Sequence, residues 1–381
     1  IKLIKDIGIN AYRLSTTCIP IIPSGKGNVN QKGIDFYNRL IDALLEKNIE
    51  PVVTIYHLDL PQALEDKGGW ANREIVGCFT DFADALFKNY GDRVKFWITE
   101  NEPICVSSGY YPGETAPGVK DMNKMFAAVH HLILAHGYTV ERYREYSGKY
   151  GQIGITICVS PKYPFSKSED DLKAAKWDDA FFNRTYLDPI FYGTYPDEFP
   201  EMFGREFGFS EEEKKIIASP IDFLGINYYT RKISRYNPDD KFIKTAGVKP
   251  EGAEYTEMGW EVYPQGFYDV LTSIKKNYQD PVIYITENGC AYDDKVENRK
   301  IKDLKRVEYL KEHFKAVHKA ISDGVKVKGY FVWSLMDNFE WTFGYSKRFG
   351  IVYTDYPTQK RIPKESARWY SKVIKENFVV D

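Results

Sequence analysis

The chain has 381 residues, 43% of them hydrophobic and 28% charged, with a formal net charge of −2. This is the balance of an ordinary soluble protein with a large core, and basic residues interspersed with acidic ones favour neither nucleic acid nor an anionic membrane surface. No apolar run reaches membrane-spanning length, and the five scattered cysteines (Cys18, Cys78, Cys105, Cys158, Cys290) support neither a disulfide framework nor a zinc site; with no signal peptide in view, a cytoplasmic location is the expectation.

In chain order, Ile1 to Ile7 reads as the end of a helix. A strand is expected at 9–15, a helix at 31–48, a strand at 50–57 and a helix at 72–90. Then follow a strand at 94–102, a helix at 123–146, a strand at 152–160, a helix at 173–182 and a strand at 222–229. A helix at 265–277, a strand at 281–287, a helix at 303–323, a strand at 328–335 and a helix at 363–377, with Pro363 in its first turn, complete the series. Residues 159–171 and 234–261 read as long loops. The strands are near-continuously apolar and β-branched, the mark of parallel strands covered by helices. Phe36, Leu40, Ile41, Leu44 and Leu45 recur at helical spacing, giving the first full helix one core face. The fold class is therefore α/β, a (β/α)8 TIM barrel with seven of its eight strands evident. The eighth is expected upstream of Ile1, so residues 1–381 are read as a single, N-terminally incomplete catalytic domain.

Two of these strands end in a glutamate: Thr99-Glu100-Asn101-Glu102-Pro103 and Ile285-Thr286-Glu287-Asn288-Gly289. A charged carboxylate is a poor core residue, and two of them at the C-terminal ends of barrel strands are what glycoside hydrolysis needs, one as acid and one as base or nucleophile. His57, at another strand end, reads equally as a satisfied core histidine or as a ligand contact. The aromatic content, 15% with 29 Tyr and 7 Trp, fits thick packing as well as a sugar-stacking site.

An ordered set of motifs then carries a resemblance over nearly the whole chain. It runs from Tyr12-Arg13-Leu14-Ser15 through Asp59-Leu60-Pro61-Gln62-Ala63-Leu64, Gly68-Gly69-Trp70 and Asn101-Glu102-Pro103. It continues with Asp222-Phe223-Leu224-Gly225-Ile226-Asn227-Tyr228-Tyr229, Thr286-Glu287-Asn288-Gly289 and the segment from Trp333 to Trp341. The chain resembles glycoside hydrolase family 1, the β-glucosidase family. The resemblance implies a retaining β-glycosidase acting on β-glucosides or related β-linked sugars, with Glu287 as nucleophile and Glu102 as acid/base. It implies that Arg13 and Tyr229 support Glu287 and that Asn101 contacts the sugar 2-hydroxyl. Substrate binding falls to His57, Asn227, Trp260, Trp333, Glu340 and Trp341. A small β-glycoside or oligosaccharide is the implied partner, with no cofactor, no metal, no nucleic acid and no membrane; a homo-oligomer stays open.

The sequence departs from the family pattern at Glu100, where an aromatic is usual, at Leu58 after the histidine, and at Cys18. Strand alternation would put Glu100 on the face of Glu102, one layer deeper, as a third carboxyl with a raised pKa. Two other readings remain. One is a 6-phospho-β-glycosidase, which Glu340 opposes by repelling a phosphate. The other is a catalytically impaired or redesigned barrel that only binds a ligand.

Overall fold

The computed structural model describes residues 1–146, 151–298 and 300–380. All seven expected strands are present: β1 (Ala11–Ser15), β2 (Glu50–Tyr56), β3 (Phe96–Asn101), β4 (Gln152–Val159), β5 (Phe223–Tyr228), β6 (Ile283–Asn288) and β7 (Val327–Val332). The chain divides into two compact units. One comprises Asn10–Cys158 and Ala180–Gly225, the other Ile1–Ile9, Val159–Asp179 and Ile226–Asp381; β5 contributes its first half to one and its second half to the other.

In the first unit the strands follow chain order, β1 beside β2, β3, β4 and the start of β5. The pairing is parallel: Arg13 lies opposite Val52, Tyr56 opposite Glu100, and Phe96 opposite Gln152. Residues 51–56 of β2 are all buried, as expected for a strand covered on both faces. The helix Gln31–Leu45 is capped by the Asn30 side chain, which accepts from the Lys32 amide, and buries Ile34, Tyr37, Ile41 and Leu44, the spacing of a single core stripe. The pairing of β3 with β4 carries a register shift between Ile98 and Asn101.

In the second unit β5 is followed by β6 and β7, with Val327 opposite Ile283 and Val332 opposite Asn288. The expected long loops are corrected here. The segment 159–171 contains the strand Lys162–Pro164 and the start of the helix Glu169–Asp179, and 234–261 overlaps the strands Lys232–Tyr236 and Thr245–Val248. These three strands form a separate small sheet. They are short, and two of the three carry charged residues, so no alternating pattern betrays them. Buried Asp178 ties this sheet to its helix, accepting from Lys232 Nζ at 2.8 Å and Ser234 Oγ at 2.6 Å. Pro363 is also corrected. It ends the strand Lys360–Pro363, opposite Val352, and the last helix is Glu365–Glu376; a two-stranded ribbon tolerates a residue without an amide proton.

A buried ionic network holds the segments that follow β6 and β7. The fully buried Arg306 guanidinium donates to Asp294 at 2.8 and 3.0 Å, to Asp303, to the Cys290 carbonyl at 3.2 Å and to the Arg348 carbonyl at 2.8 Å. Lys364 Nζ donates to Asp337 at 2.8 Å, and Arg348 reaches the same carboxylate at 2.7 Å. Removing one partner of such a network leaves uncompensated buried charge. Arg306→Met should therefore destabilise the protein by about 3–5 kcal/mol, read as a lower urea midpoint. A loss below about 1 kcal/mol, the range of an exposed pair, would contradict a structural role for the network.

Candidate active site

Asn101 and Glu102 sit where β3 stops. Glu102 adopts the left-handed conformation, φ 47° and ψ 63°, and Pro103 opens the short helix Pro103–Ser108. Left-handed backbone costs an L-residue about 1–2 kcal/mol, so it needs anchors. The Glu102 amide donates to the Thr156 carbonyl on β4 at 2.9 Å, and the Glu102 carbonyl accepts from the Cys105 amide at 2.8 Å. Cys105 Sγ also donates to Glu102 Oε2 at 3.0 Å.

The first unit gathers four more residues around Asn101. Arg13 Nη2 donates to Asn101 Oδ1 at 2.6 Å, and Arg13 Nε to Thr54 Oγ1 at 3.2 Å. Asn101 Nδ2 lies 3.0 Å from His57 Nε2, and His57 Nδ1 lies 3.1 Å from Ser15 Oγ. Because a guanidinium only donates, Asn101 must present its oxygen to Arg13 and its NH2 to His57. That makes Nε2 an acceptor and puts the imidazole proton on Nδ1, facing Ser15. Arg13, Asn101 and His57 are thus brought together.

The second unit gathers the residues around Glu287. This carboxyl is 4% exposed, and the Tyr229 hydroxyl donates to its Oε2 at 2.6 Å. Its neighbours in sequence are pinned to β5: Thr286 Oγ1 donates to Asn227 Oδ1 at 2.7 Å, and Asn288 Nδ2 to the Tyr228 carbonyl at 2.7 Å. Asn227 is therefore fully buried and engaged with Thr286. The Trp260 ring packs against Tyr229 at 5.1 Å between centroids. Trp333 is half-buried and its amide donates to the Asn288 carbonyl. Glu340 is buried, with its amide donating to the Gly344 carbonyl at 2.7 Å, whereas Trp341 is exposed.

Glu100 is 1% exposed and neither carboxyl oxygen has a hydrogen-bond partner. Burial pushes its pKa well above the usual carboxyl range, as the expectation of a deeper third carboxyl required. The alternation used to place it on the face of Glu102 does not apply, because β3 is irregular after Ile98 and Glu102 is left-handed. Cys18 is buried too, and burial raises its thiol to about 12.

Sequence reasoning missed Thr54, Ser15 and Cys105 as site neighbours. Thr54 and Ser15 sit on β2 and β1 as polar interruptions of apolar strands. Cys105 could have been found from its place three residues after Glu102, one helical turn on.

The family model described as Glycosyl hydrolase family 1 matches residues 1–379. The chain belongs to glycosyl hydrolase family 1. A 1,4-beta-D-glucan glucohydrolase of Thermotoga neapolitana is 49% identical, aligned over 100% of this chain and 86% of its own length. Beta-glucosidase A of Thermotoga maritima is 48% identical over the same shares. The solved structure of the family 1 β-glucosidase from Thermotoga maritima matches with a TM-score of 0.96 at 47% identity, covering 100% of this chain and 86% of that one. Its complex with isofagomine lactam matches with a TM-score of 0.94. The chain is accordingly a glycoside hydrolase of the (β/α)8 TIM-barrel class, with seven parallel strands among the described residues.

Glu100 makes stability depend on pH. Unfolded, the carboxyl ionises near pH 4.3, roughly the free glutamate value; folded, it keeps its proton to higher pH. Between those points the folded state binds more protons, so stability falls as pH rises. Glu100→Gln should flatten this decline, and its melting temperature should gain on the parent as pH rises above about 5. Parallel melting curves across that range would rule out a neutral, buried Glu100.

Proposed function

We propose that the chain is a retaining β-glucosidase, hydrolysing β-glucosides or related β-linked sugars by double displacement. The observation that carries this is the buried Glu287 carboxyl at the end of β6 with the Tyr229 hydroxyl on its Oε2 at 2.6 Å. A donor on one oxygen fixes the carboxylate plane for attack. The family membership and the named activities of the relatives support the reading.

In the first step a Glu287 oxygen attacks the anomeric carbon, the glycosidic C–O bond breaks, and Glu102 gives its proton to the departing oxygen. The product is a glycosyl ester on Glu287. In the second step Glu102, now a carboxylate, takes a proton from water; the water oxygen attacks the anomeric carbon and Glu287 leaves as a carboxylate. Asn101, held by Arg13, is assigned to the sugar 2-hydroxyl, a contact that strengthens in the transition state. His57, Asn227, Trp260, Trp333, Glu340 and Trp341 are assigned to substrate binding, with Asn227 acting through Thr286. A cytoplasmic location belongs to the same proposal and rests on the scattered free thiols.

Glu287→Gly should abolish turnover of an aryl β-glucoside. Azide should restore it and yield the α-glucosyl azide, because the small anion attacks from the side the nucleophile vacated. Glu102→Ala should lose about 10²–10⁴-fold on substrates that need leaving-group protonation, and azide should then give the β-glucosyl azide. Rescue of neither variant, with substrate binding intact, would favour a barrel that binds a glycoside without cleaving it.

A further inference from the structure

Cys105 stands one helical turn past Glu102 and is tied to it twice. Its amide donates to the Glu102 carbonyl at 2.8 Å and its thiol to Glu102 Oε2 at 3.0 Å. The left-handed turn at Glu102 followed at once by the helix Pro103–Ser108 brings the thiol back over the carboxyl. A thiol is a weak donor toward a neutral acceptor, but a hydrogen bond to an ionised group is about twice as strong as one between neutral groups. No role for this residue follows from the double-displacement scheme itself.

We infer that Cys105 is a positioning residue for the acid/base step: its thiol holds Glu102 Oε2, so that the proton given to the leaving oxygen is carried on Oε1. The inference rests on the assignment of Glu102 as acid/base. In the first step the thiol donates to the carbonyl-like oxygen of the protonated carboxyl; in the second it donates to the carboxylate. The thiol keeps its proton throughout, and no bond to sulfur forms or breaks. Without this donor one of the contacts that orient the carboxyl is lost, and proton delivery to a poor leaving group suffers most. A good leaving group departs without protonation and feels little.

The test compares Cys105→Val, Cys105→Ala and Cys105→Ser on two substrates, phenyl β-glucoside and dinitrophenyl β-glucoside, with Glu102→Ala in parallel. The Val and Ala variants should lose about tenfold in kcat/KM on the phenyl substrate and less than about twofold on the dinitrophenyl substrate. The basic limb of their kcat/KM profile should move to higher pH, because a donor to the ionised form has been removed. The Ser variant, which keeps a donor, should restore both. Equal losses on the two substrates with an unmoved basic limb would show a merely structural role and overturn the inference alone, provided Glu102→Ala discriminates strongly between the substrates. If Glu102→Ala itself fails to discriminate, the assignment of Glu102 falls and takes the inference with it.

Discussion

Taking a carboxyl group out of water is costly unless a donor faces it or a proton neutralises it, and both solutions occur here. Glu287 is buried and meets a hydroxyl donor, Tyr229. The residues either side of it bond back to β5, Thr286 to Asn227 and Asn288 to the Tyr228 carbonyl, so the backbone that carries the carboxyl is held in place. Glu100 has the opposite environment. No donor reaches it, so burial keeps its proton on. Two carboxyls of the same chemistry thus meet opposite surroundings, one facing a hydroxyl donor and the other facing none.

The same reasoning fixes the polarity of the cluster in the other unit. Arg13 can only donate, so the hydrogen bonds run one way, from Arg13 to Asn101 to His57 to Ser15. That direction leaves Nδ1 as the ring nitrogen that donates toward Ser15. The bond from Nδ1 to Ser15 is the exposed member of the chain.

The seven strands were legible because parallel strands covered on both faces are continuous runs of β-branched and aromatic residues, and Val52 to Tyr56 is such a run. The two glutamates were legible because strand-end carboxylates interrupt those runs, and their motifs separate them from chance. The small sheet was not legible: its strands are short and carry Lys232, Arg235 and Lys162, and Asp178, their partner, is 54 residues from Lys232 along the chain. Pro363 was misread because a proline opening a helix and one closing a ribbon strand look alike in sequence. The hydrogen-bond partners were the least legible part. Nothing in a run of residues says that Arg13 will meet Asn101, 88 positions away, since that depends on register across three strands.

The left-handed Glu102 is where local strain and chemistry meet. Backbone strain persists only where the surroundings over-determine it. Here the amide is held by Thr156, the carbonyl by the Cys105 amide and the side chain by the Cys105 thiol. A regular strand would simply alternate Asn101 and Glu102 between opposite faces. Instead the alternation ends at Asn101, which stays buried and bound to Arg13, while Glu102 turns out of the ladder into a half-buried position. Adjacent residues can then differ in surroundings: the amide is locked into a donor chain that sets its orientation, and the carboxyl beside it keeps partial contact with solvent.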